Sequence, residues 1–171
     1  MTLYKLIQPH INNVADKFIP PHGSEQSDVD LNQILQTVCS RCITEGKSFI
    51  LRADKLPHVQ GKEEIFLHLF GELISMILNH PPQNSKLFLY ITCKEQPPDA
   101  DTIDLRLIES FKLFKIDFHT NITSDDQWIN LYKANLAKCS LLVQQAGNSF
   151  SFFPICNTGC LFSISLPGKI Q

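Results

Sequence analysis

Leu56-Pro57-His58-Val59-Gln60-Gly61-Lys62-Glu63-Glu64-Ile65-Phe66-Leu67-His68-Leu69-Phe70-Gly71-Glu72-Leu73-Ile74-Ser75-Met76-Ile77-Leu78-Asn79-His80 is the stretch around which this chain organises itself. Ile65, Phe66, Leu69, Phe70, Leu73, Met76 and Ile77 recur at the spacing of a largely buried helix. Pro81-Pro82 stops it, because proline lacks an amide and clashes with the preceding turn. The spacing predicts a helix over 62–80, with His68, Glu72, Ser75 and Asn79 on one narrow polar stripe. A carboxylate on an otherwise apolar helix needs a partner or water, since an unpaired buried charge is costly.

On the N-terminal side, Leu31, Ile34, Leu35, Val38 and Cys42 mark a second amphipathic helix. Asp28 or Asp30 can cap it and Gly46 can end it, after which Ser48 to Arg52 alternates as a strand. On the C-terminal side, Leu87 to Cys93 reads as a buried strand and Gln96 to Asp101 as a loop. Ile103 to His119 then makes one or two strands with a break near Ser110. A third helix over 126–146 buries Trp128, Tyr132, Leu136, Cys139 and Val143. Gly147-Asn148 turns the chain into Phe150 and Phe152, and after Gly159 the residues Cys160, Phe162, Ile164 and Leu166 alternate with Leu161, Ser163 and Ser165. This order predicts an α+β fold, a two-layer α/β sandwich in which a mixed sheet carries about three helices on one face.

Residues 28–171 are of a size for one such domain. Ahead of it, Leu3, Leu6, Ile7, Ile11, Val14 and Phe18 give an amphipathic helix over 2–18. Pro20-Pro21 ends that helix, and a polar linker completes the segment 1–27. Its apolar stripe must be covered, either by the same helix of a second subunit in a homodimer or by the sandwich, and the linker favours the homodimer.

Hydrophobic residues at 43%, charged residues at 19% and a formal charge of −2 describe a globular protein without a field to attract nucleic acid or an acidic membrane. No stretch approaches the ~20 apolar residues that span a bilayer, and the expectation is a soluble, cytoplasmic protein. Six cysteines without an export signal are expected to stay reduced. Cys39 and Cys42 form a C-x-x-C within a helix, and Cys156 with Cys160 a C-x3-C in a turn. Four sulfurs have the softness and number to hold zinc, although free cysteine is more often a small buried hydrophobe.

Three stretches resemble the ATP-binding domain of sensor histidine kinases (HATPase_c, of the GHKL superfamily, with the Bergerat fold shared by type II topoisomerases). The kinase pattern runs Leu-Pro-x-Val-x-Gly-Asp into a helix that ends Asn-Leu-x-x-Asn-Ala. Leu56, Pro57, Val59 and Gly61 match it, while Glu72 and Met76 fill the two asparagine positions. Leu136-Ala137 through Val143 to Gly147 is similar to the kinase helix Leu-Ala-x-x-x-x-x-Val-x-x-x-Gly. Asn157 to Pro167 resembles the closing Gly-x-Gly-x-x-Phe-x-x-x-Leu-Pro. The resemblance covers about Val29 to Lys169.

The resemblance also implies what is changed. Met76, a soft thioether, replaces the asparagine that serves Mg2+, a cation that demands oxygen ligands. Phe118-His119-Thr120-Asn121-Ile122 stands where the adenine-reading Asp-x-Gly-x-Gly belongs; Asp117 is one residue early and so faces the other side of its strand. Lys133-Ala134-Asn135 stands where flexible glycines should precede Leu136. The frame implies a vestigial pocket made by His68, Glu72, Ser75, Met76, Asn79, Phe118, His119 and Asn135.

The implied protein holds no cofactor and no catalytic residue. It serves bacterial two-component signal transduction as a docking module for a response regulator or a histidine kinase. Two alternatives stay open: a divergent domain that binds ATP and Mg2+ with Glu72 as general base, as in the topoisomerase branch, and an antagonist that binds a kinase or sigma-factor partner. A phosphoacceptor role for His10 would need a helical bundle around it. His58, His80 and His119 read as ordinary surface or cap residues.

Overall fold

Two short strands open the described part of the chain in a way the sequence pattern does not announce. The computed structural model describes residues 27–82, 86–97, 112–122, 125–145, 149–155 and 159–169. Ser27–Asp30 forms β1 and His58–Gly61 forms β3, paired antiparallel with Val29 opposite Val59. Ser27, expected in a linker, is already in the sheet. The helix expected over 2–18, the break near Ser110 and Cys156 lie outside the described residues.

Between these strands, α1 (Leu31–Thr44) is capped by Asp30, whose side chain accepts from the Asn32 amide at 2.9 Å. It closes at Gly46, which has φ +79° and donates its amide to Ile43 at 2.9 Å. The strand expected over Ser48 to Arg52 is β2 (Ile50–Ala53). Then follow α2 (Glu63–Leu78), β4 (Phe88–Gln96), β5 (Lys112–Thr120), α3 (Asp126–Gln145), β6 (Ser149–Ile155) and β7 (Gly159–Lys169).

The strands form one mixed sheet in the order β1-β3-β7-β5-β4-β2, with β6 also paired to β7 beside β3. Among the described residues only β2 and β4 are parallel; the other pairs are antiparallel. Alternation then sorts the faces. Leu89 and Ile91 of β4, Phe114, Ile116 and Phe118 of β5, and Cys160, Phe162, Ile164 and Leu166 of β7 are buried on the helix-covered face. α2 lies between α1 and α3, with Phe66, Leu69, Phe70, Leu73, Ile74 and Ile77 in the core and Phe70 edge-on to Phe118 at 5.3 Å. From α3, Trp128 stacks on Phe152 of β6 at 5.6 Å. The result is the expected two-layer α+β sandwich. Among the described residues no helix is long and apolar enough to cross a membrane.

A side-chain bridge ties α1 to the segment that leads into β3. Asn32 Oδ1 accepts from the Leu56 amide at 2.8 Å, and Asn32 Nδ2 donates to the Leu56 carbonyl at 2.9 Å. One asparagine thereby pairs like a strand with the segment that leads through Pro57 into β3 and α2.

Candidate functional site

Within the polar stripe of α2, Glu72 meets α3, while His68 and Asn79 are exposed. Glu72 Oε2 accepts from Asn135 Nδ2 at 2.9 Å, and Glu72 Oε1 accepts from Lys138 Nζ in an ion pair. Asn135 and Lys138 are three residues apart on α3 and so share a face. The Lys138 ammonium, then the Asn135 amide and the charge of His68, hold the Glu72 carboxyl below its ordinary range, against the opposing effect of burial. One turn further along α2, Asn79 Nδ2 reaches Ser75 Oγ at 3.4 Å and Lys47 Nζ reaches Asn79 Oδ1 at 3.0 Å. Beyond the helix end, His80 Nδ1 and the Tyr132 hydroxyl are 2.8 Å apart, with their rings edge to face. α2 and α3 are thus joined by polar contacts near both ends of their crossing.

The residues that the pattern suggested for a vestigial pocket therefore divide into three groups. Glu72 and Asn135 are in direct contact, with His68, Ser75 and Asn79 along the same stripe. Met76 and Phe118 are buried at 1% and 0% exposure among the apolar core residues. His119 is on the opposite face of the sheet, where its Nε2 is 3.4 Å from Thr92 Oγ1 and its ring lies against Tyr90. Asp117 shares that outer face, accepting from Ser163 Oγ and pairing with Lys115 at 3.4 Å. Lys138, Tyr132 and Lys47 were not among the expected residues. The signal for Lys138 was its spacing of three from Asn135 on a helix whose neighbouring turn was already implicated.

α3 is continuous from Asp126 to Gln145, so Lys133-Ala134-Asn135 is helical. Its first turn is set by Asp125, whose side chain accepts from the Trp128 amide at 2.7 Å. A concavity of about 500 Å³ lies elsewhere, between α1 and β2, lined by Leu35, Cys39, Ile43, Leu51 and Ala53 with Asp54 and Lys55 at its rim.

Among the described cysteines Cys139, next to Lys138, feels this chemistry: burial and then the Glu72 charge push its thiol up, and Lys138 opposes them. Cys39 and Cys42 are buried on α1 and Cys160 is buried in β7. Burial pushes the thiols up, Cys39 to about 11 and Cys139 and Cys160 to about 12, the direction that disfavours the thiolate a metal requires. Among the described residues no three His, Cys, Asp or Glu side chains gather to hold a metal ion.

Three comparisons bear on this geometry. No family model matches the chain, and no curated protein matches its sequence. Solved structures do match. A mycobacterial sensor histidine kinase, MprB, aligns at a TM-score of 0.63 with 11% identity, over 85% of this chain and 99% of that one. The ATP-binding domain of PrrB from Mycobacterium tuberculosis aligns at 0.60 with 12% identity, over 86% and 100%. A nucleotide-free catalytic domain of the histidine kinase ThkA aligns at 0.59 with 11% identity, again over 86% and 100%. This chain has the histidine kinase ATP-binding fold. At such identities the likeness is one of backbone architecture, and α2 and α3, which meet at Glu72, are two of the elements it contains.

Proposed function

We propose that this domain keeps the kinase fold without its nucleotide chemistry and works as a docking module in bacterial two-component signalling, in the cytoplasm. The observation that carries the reading is the engagement of Glu72 by Asn135 and Lys138, which turns the first of the two asparagine positions into a tie between α2 and α3. The donor set does not fit a magnesium nucleotide. Met76 is a buried thioether where a hard cation needs oxygen, and Asp117 is committed to Ser163 and Lys115 on the far side of the sheet. Helical backbone at Lys133 to Asn135 also withholds the amides that a glycine-rich lid would turn toward phosphate.

Glu72 as a general base is the competing enzymatic reading. A base works best with its pKa near the operating pH, and here the carboxyl is pulled lower by Lys138. That direction supports a structural role. The partners that the fold suggests are a receiver domain and the dimerisation helices of a kinase, by analogy of architecture alone. Separate calorimetric titrations with each test the docking half: saturable binding to either supports it, and binding to neither contradicts it. A titration with MgATP tests the other half. An antagonist of a kinase or sigma-factor partner would use the same folded surface and is distinguished by which partner is captured.

A further inference from the structure

Strand β2 stands at one end of the sheet, and among the described residues it pairs with β4 alone. All its residues, Ile50 to Ala53, are exposed. The Ile50 amide donates to the Leu87 carbonyl and the Asp54 amide to the Ile91 carbonyl, each at 2.9 Å, so alternate residues turn their backbone towards β4. The amides and carbonyls of Leu51 and Ala53 therefore point out of the sheet, and such an edge is a template for a further strand. No proline guards it. On the helix side, Leu51 and Ala53 line the concavity with Leu35, Cys39 and Ile43 of α1, where Leu51 is 36% and Ile43 64% exposed. On the outer face Arg52 is exposed and stands in register beside Tyr90. Among the described residues neither Arg52 nor Asp54 forms an ion pair; one Asp54 oxygen, Oδ2, accepts from the Cys93 amide at 3.1 Å.

This edge is complementary to itself. Two copies related by a twofold axis normal to the sheet would pair β2 antiparallel, and the ladder forms only if outward-facing residues meet one another. The axis can then pass at Leu51, at Arg52 or at Ala53. At Arg52 two like charges meet, and at Leu51 each Arg52 faces Ile50. At Ala53 each Arg52 faces Asp54 of the other copy, in the closely spaced non-hydrogen-bonded position where opposite charges attract across strands.

We propose that β2 is the edge through which two copies of this chain join into one continuous sheet, antiparallel about Ala53, with Arg52 of each copy facing Asp54 of the other. The occupant is a second copy because this strand itself supplies both members of the charge pair at the spacing that twofold pairing requires. Both α1 helices then lie on the same face of the joined sheet, and the apolar concavities beside Leu51 close against one another. The Glu72 seam takes no part, since α2 lies between α1 and α3.

Sedimentation of the full chain tests this. The unaltered protein should be dimeric at roughly 50 μM. Arg52→Asp and Asp54→Arg each set like charges opposite one another twice and should weaken the dimer by about tenfold or more. An equimolar mixture of the two variants, in which every facing pair is again of opposite sign, should regain it. Ala53→Pro removes an amide that points away from β4, a place where an edge strand tolerates proline, and should give a folded monomer. The near-ultraviolet signal of Trp128, in the core beneath α3, reports in each case that the domain is intact. Should Asp54→Arg disturb the fold through the Cys93 amide, Arg52→Asp and Ala53→Pro carry the test. A monomeric unaltered chain overturns the proposal and leaves the edge to a strand of another protein. A dimer that survives Arg52→Asp and Ala53→Pro places the contact elsewhere, and folded charge variants that stay monomeric when mixed refute the pairing about Ala53.

Discussion

Asn135 of α3 donates its side-chain amide to Glu72 of α2 at 2.9 Å, across the pair of helices. With Lys138 on the other carboxylate oxygen, both acceptor atoms of Glu72 are engaged across the helix pair. The consequence is a closed seam, and it can be measured as stability.

Asn135→Leu should destabilise the domain by about 1 kcal/mol, the net value of one hydrogen bond to a charged group in a partly exposed setting, read from urea unfolding. Loss of several times that amount would mean that the seam carries more of the fold than this single contact.

The pH dependence follows from the direction of the Glu72 shift. The carboxyl is held below its ordinary value of 4.5, chiefly by Lys138, so its contribution is fully present above that value and is lost as pH falls through the lower folded-state value. Glu72→Gln should flatten this part of the stability profile below about pH 4.5 and leave the slope between pH 6 and 8 unchanged. An unchanged acid limb in the variant would show that Lys138 does not depress Glu72.

Met76→Asn restores the residue type of the kinase pattern, yet it should cost about 3 kcal/mol, because the side chain is 1% exposed and an amide there has no water. No MgATP binding should accompany it. A variant as stable as the parent that gained nucleotide affinity would show that position 76 can face the cleft.

Asn32→Leu removes both hydrogen bonds to the backbone of Leu56 and orphans a buried amide, and should destabilise by about 2 to 3 kcal/mol in thermal unfolding. Gly159→Ala should be at least as damaging. At φ +148° a Cβ would meet the Thr120 carbonyl oxygen at 1.9 Å, a contact that only movement of β5 or β7 could relieve.

Much of this fold was legible because the long elements carry strong periods. α2 and α3 each bury one stripe, and the β7 alternation of Cys160, Phe162, Ile164 and Leu166 is present in the structure residue by residue. β1 and β3 were not legible. Four residues of the type Ser-Asp-Val-Asp or His-Val-Gln-Gly hold too little apolar material to show alternation, and they are strands because they pair with one another and with Gly168. The site was legible in part. Glu72 stood out as a carboxylate on an apolar helix, but four residues on is a rotation of about 40°, enough to carry Met76 off the polar stripe and into the core. Phe118 and His119 likewise fall on opposite faces of β5, which pattern matching along the chain does not register.

Isothermal titration of the full chain with ATP in the presence of Mg2+ tests the central claim most directly. The account predicts no saturable heat up to about millimolar ligand, the regime of roughly −4 kcal/mol in which no specific cradle is formed. Saturable binding with a micromolar dissociation constant, weakened by Glu72→Gln, would contradict it and make this a working nucleotide domain.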